Sequence, residues 1–298
     1  MKSLRQLAII GPTASGKTAL AIKVAKSIDA HILSLDSLSI FKEINIVSAK
    51  PSLEERDGVV HFGIDYLSPD THFDVAIYTK LYDDVYQRCL REGKNLVIVG
   101  GTGFYLKMLI EGISQIPSIS NATQKKADTL LEDLPAAYAL LHDLDMAYMA
   151  KIEPQDRYRI EKALLIYLET SLSPTEYFRQ FPPKPTVIGK LDIYHIVWER
   201  EKLRERIFLR TEQMLGQGLI NEICYLEKKY SRLPNCMKAI GIKETLDYLD
   251  GKYTKARLVE KISINTARLA KRQRTFNNSQ FTDVIKGSVE MLEKELLL

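Results

Sequence analysis

The chain has 298 residues, of which 45% are hydrophobic and 27% are charged, so it can bury one large core or two modest ones. The apolar run at 7–10 is too short for the core of a signal peptide, and no stretch reaches the roughly 18 apolar residues of a membrane span. Three cysteines far apart in sequence, without a CxxC pair, indicate neither a zinc site nor a disulfide framework. We therefore expect a cytoplasmic protein that does not cross a membrane.

Strands and helices alternate in the first part of the chain. Short apolar runs predict the strands, and a helical period of apolar residues predicts the helices between them. The predicted order is strand 6–10, helix 17–28, strand 31–36, strand 60–65, helix 73–92 and strand 95–99. This alternation predicts a parallel α/β sheet, in which ligands gather at the carboxyl ends of the strands.

The pattern changes after Gly112. Residues 116–190 have helical periodicity without a convincing strand and end in the proline-rich segment FPPKPTVIG, which predicts a helical insertion. The sheet then resumes with a strand at 191–198, long helices from Glu201 and a last strand at 281–286. We therefore divide the chain into an α/β core and a helical insertion domain, with the core at 1–115 and 191–298 and the insertion at 116–190.

The net charge of +4 is unevenly distributed. Residues 200–298 contain 20 Lys and Arg against 13 Asp and Glu, which leaves a slightly acidic balance in the first 199 residues. A basic C-terminal third favours a polyanionic partner, although a solvated basic face gives the same pattern.

The segment GPTASGKT fits the phosphate-loop pattern G-x-x-x-x-G-K-[ST] in full and lies between a predicted strand and a predicted helix. Gly11 and Gly16 let the backbone curl so that successive N–H groups face an anion, and the following helix adds its positive dipole end. Lys17 supplies charge to the phosphates, and the Thr18 hydroxyl is the expected ligand of Mg²⁺. The predicted phosphate-binding residues are Gly11, Pro12, Thr13, Ala14, Ser15, Gly16, Lys17 and Thr18. The predicted fold is α/β, a P-loop NTPase-like parallel sheet flanked by helices, with a helical insertion domain.

A phosphate-transferring enzyme with this loop usually has an Asp after a later apolar strand to assist Mg²⁺. Here the strand 95–99 runs into Gly100-Gly101-Thr102-Gly103, and no acid is present. The available acid is Asp36, at the end of the strand after the phosphate loop. Its spacing is compatible with a general base, with a turn cap and with support of Mg²⁺ through water.

Six segments in order along the chain resemble the tRNA dimethylallyltransferase family, in its bacterial form. They are GPTASGKT, DSLSIF, SAKPS, VIVGGTGFYLKML, MKAIGIKE and TARLAKRQRTF. The resemblance implies that the phosphate loop, with Mg²⁺, holds the pyrophosphate of dimethylallyl diphosphate. It also implies that the prenyl group goes to N6 of an adenosine beside the tRNA anticodon, usually at position 37. The family's usual form is a monomer.

The resemblance and the chemistry together assign roles within the site. Asp36 takes the N6 proton, Lys17 and Mg²⁺ on Thr18 stabilise the leaving group, and Thr102 contacts substrate. Arg210, in the first helix after strand 191–198, is a candidate to complete the diphosphate clamp. The predicted tRNA-binding residues are Asp36, Ser37, Leu38, Ser39, Thr102, Gln124, Arg159, Lys162, Lys271, Arg272, Gln273 and Arg274.

The sequence departs from the family at several of these positions. Ser39 and Phe41 stand where the family usually has Gln and Tyr. Ser48 stands where Thr is common, and Lys162 takes the place of an arginine. Three alternatives remain beside the main prediction. They are an isopentenyltransferase that acts on free adenylates, a P-loop kinase of small molecules, and a non-catalytic RNA-binding module. The basic C-terminal third and the insertion disfavour an enzyme that acts on free adenylates. The missing acid after strand 95–99 disfavours a kinase. The complete phosphate loop disfavours a non-catalytic RNA-binding module.

Overall fold

The computed structural model describes residues 4–114 and 116–297. Strands in this part of the chain are β1 (Gln6–Ile10), β2 (Ala30–Leu35), β3 (His61–Phe62), β4 (Asn95–Gly100), β5 (Leu191–Ile196) and β6 (Ile285–Gly287). They form one sheet in the order β3-β2-β4-β1-β5-β6, with parallel pairing throughout.

The helices of the described residues follow in chain order. They are α1 (Lys17–Ser27), α2 (Val75–Glu92), α3 (Gly103–Glu111), α4 (Asn121–Leu130), α5 (Leu134–Leu144), α6 (Met146–Met149), α7 (Arg157–Thr170), α8 (Pro174–Gln180), α9 (Arg200–Gly216), α10 (Leu219–Tyr230), α11 (Ile242–Leu249), α12 (Lys255–Gln280) and α13 (Val289–Leu297), with a short 3₁₀ helix at Asn235–Lys238. None of these helices combines the length and apolar character that a bilayer span requires.

The sheet has a separate hydrophobic core on each face. Ala8 and Ile10 of β1 belong to one core, whereas Leu7 and Ile9 belong to the other, because side chains alternate along a strand. Residues of α2, α3 and α10–α12 cover the first face, and residues of α1 and α13 cover the second. Both faces are therefore buried, which explains why the central strands are continuous apolar runs. The predicted fold class is confirmed.

Three strand ends meet at one edge of the sheet. Ile10 of β1 and Leu35 of β2 both pair with Gly100 of β4. A Cβ atom at Gly100 would overlap the carbonyl of Leu35, so glycine is required for this close approach. The segments that follow these ends are the phosphate loop, Asp36 and the GGTG turn, so the topology brings them together.

The chain divides into two compact units. Unit 1 contains the sheet and consists of the described residues up to Ile110 and from Thr186 onward, and unit 2 consists of Glu111–Pro185. Unit 2 contains α4–α8, and buried residues of α4–α7 form a core of its own. Each of these five helices begins after a Ser or Asp whose side chain accepts a hydrogen bond from the first turn, at Ser120, Asp133, Asp145, Asp156 and Ser173.

The unit boundaries lie near those drawn from the sequence. The compact units meet at 110/111 and 185/186, whereas the sequence was divided at 115/116 and 190/191. Position 115 lies outside the described residues, as do 1–3 and 298 at the ends of the predicted core. The functions assigned to the two domains remain predictions.

Two predicted strands differ by more than two residues at one end from those observed, whereas the strand predicted at 191–198 ends two residues earlier, at Ile196. The strand predicted at 60–65 is only His61–Phe62, because Gly63 has a φ of +73° and turns the backbone out of the extended conformation. The strand predicted at 281–286 begins later, at Ile285. Phe281 instead ends α12 and is buried in the first core, so its apolar side chain serves the helix rather than the sheet.

Candidate active site

The phosphate loop follows β1 and leads into α1. Ala14 and Gly16 have φ angles of 61° and 87°, in the left-handed region, so the loop curls back on itself before the helix. Gly16 is the N-cap of α1 and provides no side chain to satisfy the first N–H groups of the helix. This helix end therefore combines free N–H donors with a positive dipole, which suits an anion.

Three side chains distant in sequence hold the loop in this shape. The indole Nε1 of Trp198 donates to the Ser15 carbonyl at 3.0 Å, and Nε of Arg206 donates to the Ala14 carbonyl at 2.8 Å. The Arg206 guanidinium lies 4.7 Å from the centre of the Trp198 ring. On the other side, Oε1 of Gln273 accepts from the Thr13 backbone N–H at 3.0 Å. Sequence reasoning missed Trp198 and Arg206. The available signal was Trp198, the only tryptophan in the sequence and the last residue of the predicted strand 191–198.

Two half-buried cations lie beside the loop. Lys17 Nζ donates to the Pro12 carbonyl at 2.6 Å, and burial together with repulsion from Arg210 lowers the pKa of Lys17 to about 7, against the attraction of Asp36. Arg210 on α9 has no hydrogen bond or ion pair among the described residues. Burial lowers the pKa of the Arg210 guanidinium, and Asp36 partly opposes that effect. Both cations are short of negative charge, so an anion bound between them would stabilise both.

Asp36 lies directly after β2 and is held by its own turn. Its Oδ1 accepts hydrogen bonds from the backbone N–H groups of Leu38 and Ser39, at 2.8 and 2.9 Å. Oδ2 has no hydrogen-bond partner within residues 4–114 and 116–297. The carboxylate is thus oriented through one oxygen while the other can accept a proton or a hydrogen bond. The Ser39 hydroxyl is buried 3.0 Å from that of Ser34, whereas Ser37 is exposed.

The glycine-rich turn after β4 lies close to α12. The backbone N–H of Thr102 donates to the Leu35 carbonyl at 3.2 Å, which ties the turn to the end of β2. A Cβ at Gly101 would overlap the Gln273 amide, and a Cβ at Gly103 would overlap the Asn277 side chain. Glycine in the GGTG segment therefore lets α12 approach the site, in addition to shaping the turn.

Three cavities adjoin these residues within unit 1. A small one of about 100 Å³ is bordered by seven predicted residues, namely Thr13, Lys17, Thr18, Asp36, Ser39, Arg210 and Gln273. A second, of about 510 Å³, is bordered by Asp36, Ser37, Leu38, Thr102, Arg272 and Gln273. A third, of about 950 Å³, is bordered by Gly16, Lys17 and Thr18. Ala14, Arg210 and Met214 border both large cavities, so the phosphate loop has a cavity on each side.

The segment 45–50 forms a wall of both large cavities and is held by Glu222 of α10. The Glu222 carboxylate accepts from the backbone N–H groups of Asn45, Ile46 and Val47 at 2.9, 2.7 and 3.0 Å. Three N–H donors to one carboxylate fix this segment firmly. Sequence reasoning missed Glu222, because nothing in the local pattern of α10 points to a partner far away in the chain.

The structure separates the residues predicted to bind tRNA. Arg272 and Gln273 border the 510 Å³ cavity, whereas Lys271 and Arg274 border another groove, between α9 and α12. Three more of the predicted residues, Gln124, Arg159 and Lys162, are in unit 2. There, Gln124 Nε2 donates to Asp128 at 2.9 Å, Arg159 lies 3.3 Å from Asp156, and the Lys162 ammonium lies 5.5 Å from the centre of the Tyr158 ring.

The geometry first defines a class of protein. A phosphate loop after β1, a carboxylate after β2 and a glycine-rich turn after β4, the strand between them, border a shared cavity at the carboxyl edge of a parallel sheet, as in a P-loop α/β enzyme. The family model described as IPP transferase matches residues 39–280. The chain belongs to the IPP transferase family.

Curated relatives and solved structures agree with this family. The tRNA dimethylallyltransferase of Sulfurovum sp. is 63% identical over 294 residues, 99% of this chain and 98% of that protein. The tRNA dimethylallyltransferase of Sulfurimonas denitrificans is 55% identical over 294 residues, 99% of each.

Two solved structures extend the comparison. The tRNA isopentenylpyrophosphate transferase of Bacillus halodurans has a TM-score of 0.72 at 29% identity, covering 99% of this chain and 95% of that one. A eukaryotic dimethylallyltransferase acting on tRNA has a TM-score of 0.86 at 25% identity, covering 96% of this chain and 74% of that one. The family and enzyme class predicted from the six sequence segments are confirmed.

Proposed function

We propose that the chain transfers the dimethylallyl group of dimethylallyl diphosphate to N6 of adenosine 37 in tRNA and releases diphosphate. The observation that carries this proposal is the small cavity in which Lys17, Thr18 and Arg210 face the same space as Asp36. One reaction needs both kinds of group at once, cations for a leaving diphosphate and a carboxylate for a departing proton.

The phosphate loop holds the diphosphate. The uncapped N–H groups at the start of α1, with Lys17 and Arg210, supply donors and positive charge to its oxygens. The bond between the allylic carbon and the bridging oxygen breaks, and negative charge grows on the diphosphate as it leaves. Lys17 and Arg210 therefore bind the transition state more strongly than the ground state, which lowers the barrier.

Thr18 would hold Mg²⁺ on the same side. The exposed Thr18 hydroxyl and the nearby Asp36 offer oxygen donors, which Mg²⁺ prefers. Among the described residues no group of three or more His, Cys, Asp and Glu forms a metal cage, so the diphosphate and water would complete the coordination. When bound, Mg²⁺ would neutralise charge that develops on the leaving group.

Asp36 serves the acceptor. The lone pair of the adenine amine is delocalised into the ring, so N6 must lose a proton as it bonds to the allylic carbon. The turn of Leu38 and Ser39 holds one oxygen of Asp36, and the other receives this proton. Thr102, at the border of the 510 Å³ cavity, contacts the substrate from the turn after β4, the strand next to β2.

The adenosine reaches this cavity after leaving the stack of the anticodon loop, where extrusion of a base costs only a few kcal/mol. Arg272 borders the cavity and is exposed, so it can bind a neighbouring phosphate of the RNA. Gln124, Arg159 and Lys162 of unit 2 provide further contacts to the stem-loop. Gln273 is assigned mainly to the phosphate loop, because its side chain already accepts from Thr13. The enzyme acts as a monomer in the cytoplasm.

To test this function, purified protein is incubated with labelled dimethylallyl diphosphate and with either unmodified tRNA or AMP. We expect label in tRNA, at the adenosine beside the anticodon, and none in AMP. Label in AMP would instead assign the chain to the enzymes that modify free adenylates. In a separate incubation, transfer of the labelled γ-phosphoryl group of ATP to a small alcohol, with release of ADP, would indicate a kinase.

A further inference from the structure

A groove on unit 1 lies outside the site described above. It has a volume of about 1050 Å³ and lies between α9 and α12. Its apolar floor includes Leu203, Phe208, Ile264 and Ala267, and the side chains of Phe208 and Ile264 are 44% and 39% exposed. Large apolar side chains that remain this exposed in one groove indicate a partner with an apolar face.

Cations surround this floor. They are Arg200, Arg204, Arg268, Lys271 and Arg274. Within residues 4–114 and 116–297, none of the five forms an ion pair, and Glu260 at the border is already paired with Arg257. Glu205 is the other acid of the border. An apolar floor with a basic rim suits single-stranded nucleic acid, whose bases are apolar on their faces and whose backbone is a chain of anions.

The groove adjoins the cavity that receives the acceptor. Arg272 and Gln273 of α12 border the cavity, whereas Lys271 and Arg274 border the groove, because residues one apart on a helix differ by about 100° in direction. Ile207 of α9 borders both. A helix with its side chains is only ~10–12 Å wide, so an RNA strand with one base in the cavity can reach the groove across α12.

We propose that the groove between α9 and α12 binds a second unstacked nucleotide of the RNA substrate. Its base lies against Phe208, and its phosphates contact Arg204 and Lys271. The proposal rests on the proposed function, since the RNA is the acceptor of that reaction. The proposal adds to that function a binding site for a nucleotide that does not react.

The test compares Phe208→Ala and Arg204→Ala in equilibrium binding of the anticodon stem-loop RNA over a range of salt concentrations. Phe208→Ala is expected to weaken binding about 5- to 100-fold, the usual effect of removing an aromatic platform. Arg204→Ala should reduce the slope of log affinity against log salt by about 0.7 for one phosphate contact of a single strand. Arg91→Ala is the matched control, because Arg91 is an exposed arginine on α2, away from the groove, and should change neither quantity.

A second measurement identifies the nucleotide. Stem-loop RNAs that carry one abasic position each are bound to wild-type protein and to Phe208→Ala. At one position other than the acceptor adenosine, the abasic change should weaken wild-type binding as much as Phe208→Ala does, and the two together should cost no more than either alone. At the acceptor adenosine, the losses of binding free energy from the abasic change and from Phe208→Ala should add, because that base occupies the other cavity.

Two results would overturn the proposal. The first is that Phe208→Ala and Arg204→Ala bind RNA as Arg91→Ala does, with additive effects at every abasic position. The second is a change in sedimentation of Phe208→Ala with unchanged RNA affinity, which would assign the groove to a second copy of the chain. Failure of the proposed function is seen separately, as wild-type protein that transfers no label to the RNA.

Discussion

The phosphate loop and the segment 45–50 both border the large cavities, but they are built differently. The loop curls through its own residues, with left-handed backbone at Ala14 and Gly16, and the contacts of Trp198, Arg206 and Gln273 hold that curl in place. The segment 45–50 takes its position from Glu222, which is 175 to 177 residues away and binds three of its N–H groups. The comparison shows that one wall of a site can be encoded locally while the facing wall depends on tertiary contacts. Substitutions in each wall test whether the two walls also differ in what they contribute to the reaction.

The largest effect is expected from Asp36→Asn. Asparagine keeps the size of the side chain and can accept the hydrogen bonds from Leu38 and Ser39, but it cannot take a proton at neutral pH. The single-turnover rate of transfer at saturating substrates should fall ~10²–10⁴-fold. Binding of tRNA and of the diphosphate should change little. Asp84→Asn, at an exposed position of α2, is the matched control and should retain nearly full rate.

The next effect is expected from Lys17→Ala in the phosphate loop. It removes a charge that stabilises the leaving diphosphate, and the single-turnover rate should fall ~10²–10³-fold, the usual cost of losing one such group. Filter binding of tRNA should be unchanged, because Lys17 borders the phosphate side of the site. An equal loss of tRNA affinity would contradict the separation of the two sides. Lys23→Ala, an exposed lysine of α1 that is paired with Glu293, is the matched control.

A smaller effect is expected from Glu222→Gln on the other wall. Glutamine keeps one acceptor oxygen but loses the charge that strengthens three hydrogen bonds, each worth about 1.5–3 kcal/mol when charged. KM for both substrates should rise several-fold, and proteases should cut the segment 45–50 faster. The control is Glu227→Gln on the same helix, whose exposed ion pair with Arg232 contributes little. Equal behaviour of the two variants would show that Glu222 does not position the wall.

The smallest effect is expected from Trp198→Phe. Phenylalanine keeps an aromatic ring under Arg206 but loses the indole N–H that donates to Ser15, a hydrogen bond worth about 1 kcal/mol. KM for dimethylallyl diphosphate should rise by about fivefold, with kcat unchanged. Unchanged kinetics would show that the loop keeps its shape without this contact.

The sequence was sufficient for the parts of the site that are local. The eight residues of the phosphate loop contain the glycines, the lysine and the helix start that bind an anion, so their pattern predicts their geometry. Asp36 was found because an acid at the end of a parallel strand lies at the edge where ligands bind. The helical insertion was found because its apolar period and the proline-rich segment that ends it are also local signals.

The remaining parts depend on contacts that the pattern does not contain. Trp198, Arg206 and Glu222 act on segments 175 to 192 residues away, and their own surroundings look like ordinary strand ends and helix faces. The KRQR segment was predicted as one tRNA-binding surface, but a helix directs its neighbouring residues into two different spaces. The strand predicted at 60–65 was too long, because alternation of side chains does not reveal the positive φ of Gly63.

The central claim is that Asp36 takes the proton of the acceptor amine beside a diphosphate held by the phosphate loop. The most direct test is the single-turnover rate of Asp36→Asn across a titration of Mg²⁺, with tRNA and dimethylallyl diphosphate saturating. Our account predicts that transfer stays slow at every metal concentration while both substrates bind as they do to wild-type protein. The account would be contradicted if high Mg²⁺ restored most of the rate of Asp36→Asn, and if the variant's affinity for the diphosphate were low at low Mg²⁺ and restored in parallel. That result would assign Asp36 to the metal instead.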